Sequence, residues 1–145
     1  MPKRLTVSLR PGHAMEVTRV SVGKKRLVYL ILAEKPLKYS WGRSRVAYIG
    51  TTKKGMGRIA QSVAARAKDV LGLYGIRRFH VRILTCAPRP NVETWKKLER
   101  AMLLVFRHKY REVPKCNKIG KNTRFRDEGK YFRLDRLEHL LEEMA

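Results

Sequence analysis

The chain has 145 residues, enough for one domain with a modest apolar core, and its 43% hydrophobic and 32% charged residues exclude an intrinsically disordered chain. Its 34 Lys and Arg against 12 Asp and Glu give a formal net charge of +22, which calls for a polyanionic partner and does not by itself separate an enzyme from a binding module. No stretch approaches the roughly 18 apolar residues of a membrane span, and Cys86 and Cys116 show no CxxC spacing, so the reading is a cytoplasmic protein with reduced thiols and no membrane partner.

In chain order, Leu5 to Leu9 and Val17 to Val22 alternate with period two around Pro11-Gly12, which predicts an N-terminal β extension over residues 1–25. The apolar run Leu27-Val28-Tyr29-Leu30-Ile31-Leu32 predicts a central strand, and Val46-Ala47-Tyr48-Ile49 a second one ended by Gly50. Between them, Lys35 to Arg45 reads as a long basic loop carrying Tyr39, Trp41, Arg43 and Arg45. A basic loop with Lys53 and Lys54 opens onto a helix from about Arg58 to Leu73, whose stripe is Ala60, Val63, Ala64, Ala67, Val70 and Leu71. Phe79 to Leu84 alternates as a third strand, and a second helix follows from about Val92 to Tyr110. Residues 111–130 form a long polar loop. The segment from Phe132 to Met144 is an amphipathic helix whose Leu134, Leu137, Leu141 and Met144 face caps the domain or joins another chain, a homodimer mate or a partner protein.

The positive field is uneven. Residues 1–92 hold 20 Lys and Arg against three acids, whereas residues 93–145 hold 14 against nine. Within the second helix, Trp95, Leu98, Met102, Leu103, Val105 and Phe106 make one apolar arc, and Glu99 falls inside it. An inward carboxylate requires a partner, either a core-edge arginine or a hard divalent cation. Arg58 stands where a Gly-rich loop meets a helix N-terminus, a place suited to phosphate. Taken alone, Tyr29 and Tyr48 read as core residues with hydroxyls at the rim. Trp41 either stacks on exposed bases or packs back on the sheet, and Arg66 adds to the basic surface.

Taken in order, Leu27-Val28-Tyr29, Tyr48-Ile49-Gly50, Arg58 eight residues after that glycine, Leu98-Glu99 in the second helix and Pro114-Lys115-Cys116-Asn117 resemble the GIY-YIG nuclease family over about residues 26–120. The resemblance implies an α/β (α+β) sandwich with a small three-stranded antiparallel sheet flanked by helices; residues 121–145 would add a basic loop and the C-terminal helix. It implies Tyr29 as general base or water-orienting group, Tyr48 as a positioning group, Arg58 on the scissile phosphate and Asn117 as a hydrogen-bonding brace. Glu99 would bind one Mg²⁺ or Mn²⁺. Trp41, Arg43, Arg45, Lys53, Lys54 and Arg66 are the expected DNA contacts, with DNA preferred to RNA. The first motif lacks its glycine, the tyrosines stand 19 residues apart, and Ser62 occupies the place where the family often has histidine or tyrosine. The expected function is a metal-dependent endonuclease acting on DNA; the rival is a non-catalytic nucleic-acid-binding protein.

Overall fold

A computed structural model describes residues 4–12, 26–52 and 56–145. β1 (Leu27–Lys38), β2 (Arg43–Thr52) and β3 (Phe79–Leu84) form one antiparallel sheet in the order β2-β1-β3. β1 takes the centre because its first half suits burial on both faces: Leu27 through Ile31 are at most 2% exposed, and pairing on both edges satisfies their backbone groups. α1 (Met56–Leu71) connects β2 to β3, and α2 (Thr94–Tyr110), α3 (Glu128–Tyr131) and α4 (Leu134–Glu143) follow. The expected three-stranded sheet flanked by helices is the observed fold.

α2 is the internal helix. Ala101 through Phe106 are all buried, so burial runs right round its surface rather than along one stripe. It lies against β1 and β2, with α3 and α4 packed on it as well. The leucine face of α4 therefore caps the domain: Leu137, Leu141 and Met144 belong to the core. In α1 the buried stripe is rotated from the expected one. Ile59 and Val70 are buried, while Ala60 and Ala64 are exposed and Leu71 is 44% exposed. Two alanines bury too little area to outweigh one isoleucine in choosing the face.

Two further expectations change. The strands are longer than the apolar runs suggest, and the supposed long loop is a tight turn, Tyr39-Ser40-Trp41-Gly42, in which the Tyr39 N–H donates to the Gly42 carbonyl at 3.0 Å. Gly42 makes it possible with φ 88°. Pro36 sits inside β1 where the register slips between Leu32↔Val46 and Leu37↔Ser44, an irregularity in which its missing N–H breaks no ladder. At the N-terminus, Leu5 to Leu9 forms no strand; residues 4–10 are exposed and without regular structure, and Val17 to Val22 lies outside the described residues.

The free edge of β2 is closed by the chain after α2. A second bulge leaves Ala47 unopposed between the pairs Ile31↔Tyr48 and Leu32↔Val46, and its carbonyl accepts from the Cys116 N–H at 2.9 Å. Next to it the buried Asn117 amide accepts from the Ile49 N–H at 3.0 Å and donates to the Ile49 carbonyl at 2.9 Å. One side chain thus replaces a missing strand. The rest of the 111–130 loop is pinned by α2. Arg107 donates to the carbonyls of Gly120, Lys121 and Thr123, and Arg100 to that of Arg124 and to the Glu128 carboxylate. Asn117→Ala strips both partners from Ile49 and is expected to cost about 1–3 kcal/mol in urea unfolding; an unchanged midpoint would show that water replaces the amide without loss.

Candidate functional site

Tyr29 and Gly50 are direct cross-strand partners, as are Ile31 and Tyr48. This puts Tyr29, Tyr48 and Gly50 on one face of the sheet. Gly50 does not end β2 as expected; it lies within the strand because the two rings fill the space above it. A Cβ there would come within 2.6 Å of Tyr48 Cε1 and 2.8 Å of Tyr29 Cζ and its hydroxyl. The tyrosine rings stand 5.8 Å apart, centroid to centroid. Tyr29 is almost wholly buried, whereas Tyr48 is half-buried.

α1 covers this pair with a stripe of its own. Arg58, Ser62 and Arg66 follow each other at four-residue intervals and so share one side of the helix. The Arg66 guanidinium lies 4.8 Å from the centroid of the Tyr48 ring, an attraction to the face of the π-system. Burial pushes the Tyr29 phenol up to about 12; the Tyr48 charge and hydroxyl add to this, while a hydrogen bond with Ser62 and the charge of Arg66 oppose it. Arg58 is the exception to the expected cluster. It is exposed on the first turn of α1, where its Nη1 donates to Gln61 Oε1 at 2.8 Å, one turn above Ser62 rather than against the tyrosines. The arginine nearest the rings is Arg66, which the sequence reading counted only as a DNA contact. Its spacing of eight residues from Arg58 was the signal available.

Asn117 stands beside the tyrosines through Ile49, the residue between Tyr48 and Gly50, and holds the backbone that aims them. The preceding Cys116 thiol is pushed up by burial, with Asp69 adding to the effect and Arg66 opposing it. Counting through the Ala47 bulge, Arg43 and Arg45 fall on the same face of β2 as Tyr48 and are exposed. Tyr39 is not available to nucleic acid. It is 3% exposed, donates its hydroxyl to the Val46 carbonyl at 2.5 Å, and packs on Phe106 and Tyr110. Trp41 remains outside, 62% exposed. Lys53 and Lys54 lie outside the described residues.

Glu99 is distinguished by what it lacks. The other eight carboxylates of residues 93–145 all have ion pairs: Glu93 with Lys96, Glu112 with Lys115, Asp127 with Lys97, Glu128 with Arg100, Asp135 with Arg133, Glu138 and Glu142 with Lys109, and Glu143 with Arg136. Glu99 is half-buried, and among the described residues it makes no ion pair or hydrogen bond. Burial pushes its carboxyl up to about 7, against the weaker pull of Lys96 one turn earlier. A carboxylate of this kind fits a hard divalent cation, which takes one or two protein carboxylates and completes its shell with water and phosphate oxygens. No group of three or more His, Cys, Asp or Glu among the described residues is placed to hold a metal ion by itself. No family model, curated protein or solved structure matches the chain.

Two predictions follow from this geometry. Gly50→Ala forces the tyrosine rings apart and is expected to destabilise the fold by about 1–3 kcal/mol; a near-neutral midpoint in urea would mean the rings rotate freely. For Glu99, the folded state holds its proton up to pH about 7 while the unfolded chain releases it near 4.5. Stability from this group is therefore full below pH 4.5, falls as pH rises to about 7, and stays reduced above. In metal-free buffer Glu99→Gln should raise stability at alkaline pH by on the order of 1–3 kcal/mol and leave acid stability unchanged, as read by thermal melts at both pH values. A variant less stable than the parent at alkaline pH would contradict this.

Proposed function

We propose that the chain is a metal-dependent endonuclease of the GIY-YIG type that hydrolyses DNA phosphodiester bonds. The observation that carries the reading is Glu99, the one carboxylate of residues 93–145 without an ion pair among the described residues. A pure binding module gains nothing from desolvating an unpaired acid. The paired tyrosines, the arginine stripe of α1 and the Asn117 brace support the same reading, and the net charge of +22 supplies the attraction to a polyanion.

The residues divide the work by their chemistry. With its phenol pushed up to about 12, Tyr29 stays protonated at neutral pH, so it orients the attacking water by hydrogen bonding rather than acting as a free base. Tyr48, with Arg66 against its ring, positions the phosphate beside Tyr29. Arg66 and the more exposed Arg58 offer guanidinium forks to phosphate oxygens. Asn117 keeps the strand fixed while these groups act. Glu99 would hold one Mg²⁺ or Mn²⁺, which when bound supplies positive charge to the scissile phosphate and the leaving 3′ oxygen. In the hydrolysis the water oxygen bonds to phosphorus as the bond to the 3′ oxygen breaks, and a proton ends on that oxygen.

Plasmid nicking with Mg²⁺ or Mn²⁺ tests the reading. Cutting should stop with chelator, fall at least about 100-fold in Glu99→Gln while DNA binding persists, and fall in Tyr29→Phe. It should also fall on acidification, as protons compete with the metal for the Glu99 carboxylate. Salt-sensitive binding with no cutting of linear or branched DNA would instead establish the non-catalytic module.

A further inference from the structure

The turn between β1 and β2 is held far more firmly than a hairpin tip requires. The Trp41 N–H donates to the Tyr110 carbonyl at 3.1 Å, and the Ser40 N–H and hydroxyl donate to Glu112 Oε2 at 2.8 and 2.6 Å. Both acceptors come from the end of α2 and the residues just beyond it. The turn is thereby fixed to the internal helix of the fold. What it carries is an exposed tryptophan, 62% accessible, with the Arg111 guanidinium 4.3 Å from its ring centroid.

Arg111 occupies a position that normally belongs to glycine. It caps α2 in the left-handed conformation, φ 63°, with its N–H donating to the Arg107 carbonyl at 2.8 Å; a side chain there is strained where glycine would not be. From this position its guanidinium lies against the indole. Beside the pair opens a cleft of about 470 Å³ lined by Arg107, Arg111, Glu112, Lys115, Asn117 and Lys121. Its one acid is already engaged by Ser40 and by Lys115 at 2.9 Å. The cleft is thus basic and reaches Asn117, the brace of the tyrosine strand. Trp41 itself stands roughly 20 Å along β2 from Tyr48, about six nucleotides of stacked strand.

We propose that Trp41, backed by Arg111, is a platform on which an unpaired base stacks, so that the substrate is DNA with a single-stranded or branched segment rather than uninterrupted duplex. This rests on the nuclease reading above. Duplex DNA buries its base faces in its own stack and offers this ring only edges and phosphates. An unpaired base presents a π-face, and stacking tolerates any base. The rigid turn removes the ordering cost that a mobile tryptophan would meet on binding.

The chain has two tryptophans, and the other, Trp95, is 6% exposed with its indole N–H buried and without a hydrogen-bond partner among the described residues. Trp95→Phe therefore loses no hydrogen bond and leaves Trp41 as the sole tryptophan reporter. Its emission should be quenched by a single-stranded oligonucleotide of about 12 nucleotides and little by a blunt duplex, with saturation followed independently by anisotropy of labelled DNA. In the native background Trp41→Ala should weaken single-strand binding about 10-fold with little change for duplex, and Trp41→Phe should retain most of the affinity. An unquenched Trp41 at saturation, or equal loss for both DNAs, overturns the platform. Cutting that depends on Glu99 with Trp41 unquenched would sink the platform and keep the nuclease; quenching without cutting of any substrate would keep the platform and sink the nuclease.

Discussion

Strand register puts Tyr29 and Tyr48 on one face of the sheet, and their rings can lie over position 50 only because no side chain stands there. With a Cβ built there 2.6 Å from one ring and 2.8 Å from the other, the rings would have to move, and with them the α1 side chains that reach them. The cost of a glycine inside a strand, lost packing and added chain entropy, is accepted at this one place. The register then does the rest: Tyr29 opposite Gly50 and Ile31 opposite Tyr48 put the hydroxyl-bearing rings side by side. The Ala47 bulge keeps Arg43 and Arg45 on that same face. Asn117 fixes the outer edge of β2 by taking both backbone groups of Ile49, so the strand is held on both sides at the residue between Tyr48 and Gly50.

Electrostatics sets Glu99 apart from the ion-paired acids of residues 93–145. Glu128 is the most buried carboxylate among the described residues, 1% exposed, and it is compensated by Arg100 and by the Arg126 N–H at 2.7 Å. Such an arrangement offsets desolvation and anchors a loop. Glu99, in the second turn of α2, has only the weaker pull of Lys96 against burial, so its carboxyl is pushed up to about 7. With 34 basic residues in the chain, a partner for one more acid was abundantly available. The proposed cation and its bound phosphate would supply the partner that no side chain among the described residues provides.

Much of this was legible from the order of residue types. The alternation of Phe79 to Leu84 defined β3 to the residue, and the inward position of Glu99 followed from helical angle alone. Length and facing were harder. β1 and β2 extend beyond their apolar cores because a bulge accommodates Pro36 and Gly42 closes the turn, both set by local backbone conformation rather than by periodicity. Tyr39, read as part of a basic loop, is core because its hydroxyl finds the Val46 carbonyl and the Lys115 N–H, 76 residues away in sequence for the latter. The α1 face was misread because its alanines fit the period as well as Ile59 did, and the error hid Ser62 and Arg66 beneath the motif arginine. Trp41 gave no sign of its fate, since the Tyr110 and Glu112 groups that fix it lie far along the chain.

The fold thus brings a tyrosine pair and an asparagine brace together on one strand system, sets the arginine stripe of α1 over it, and leaves Glu99 on the internal helix without an ion pair among the described residues. The proposed role of Glu99 as the metal ligand joins these parts into a nuclease. Paramagnetic resonance of Mn²⁺ titrated into the DNA-bound protein measures it most directly. The account predicts that a bound Mn²⁺ signal present in the wild-type chain is lost in Glu99→Gln with DNA still bound. The same Mn²⁺ occupancy in both proteins would contradict it.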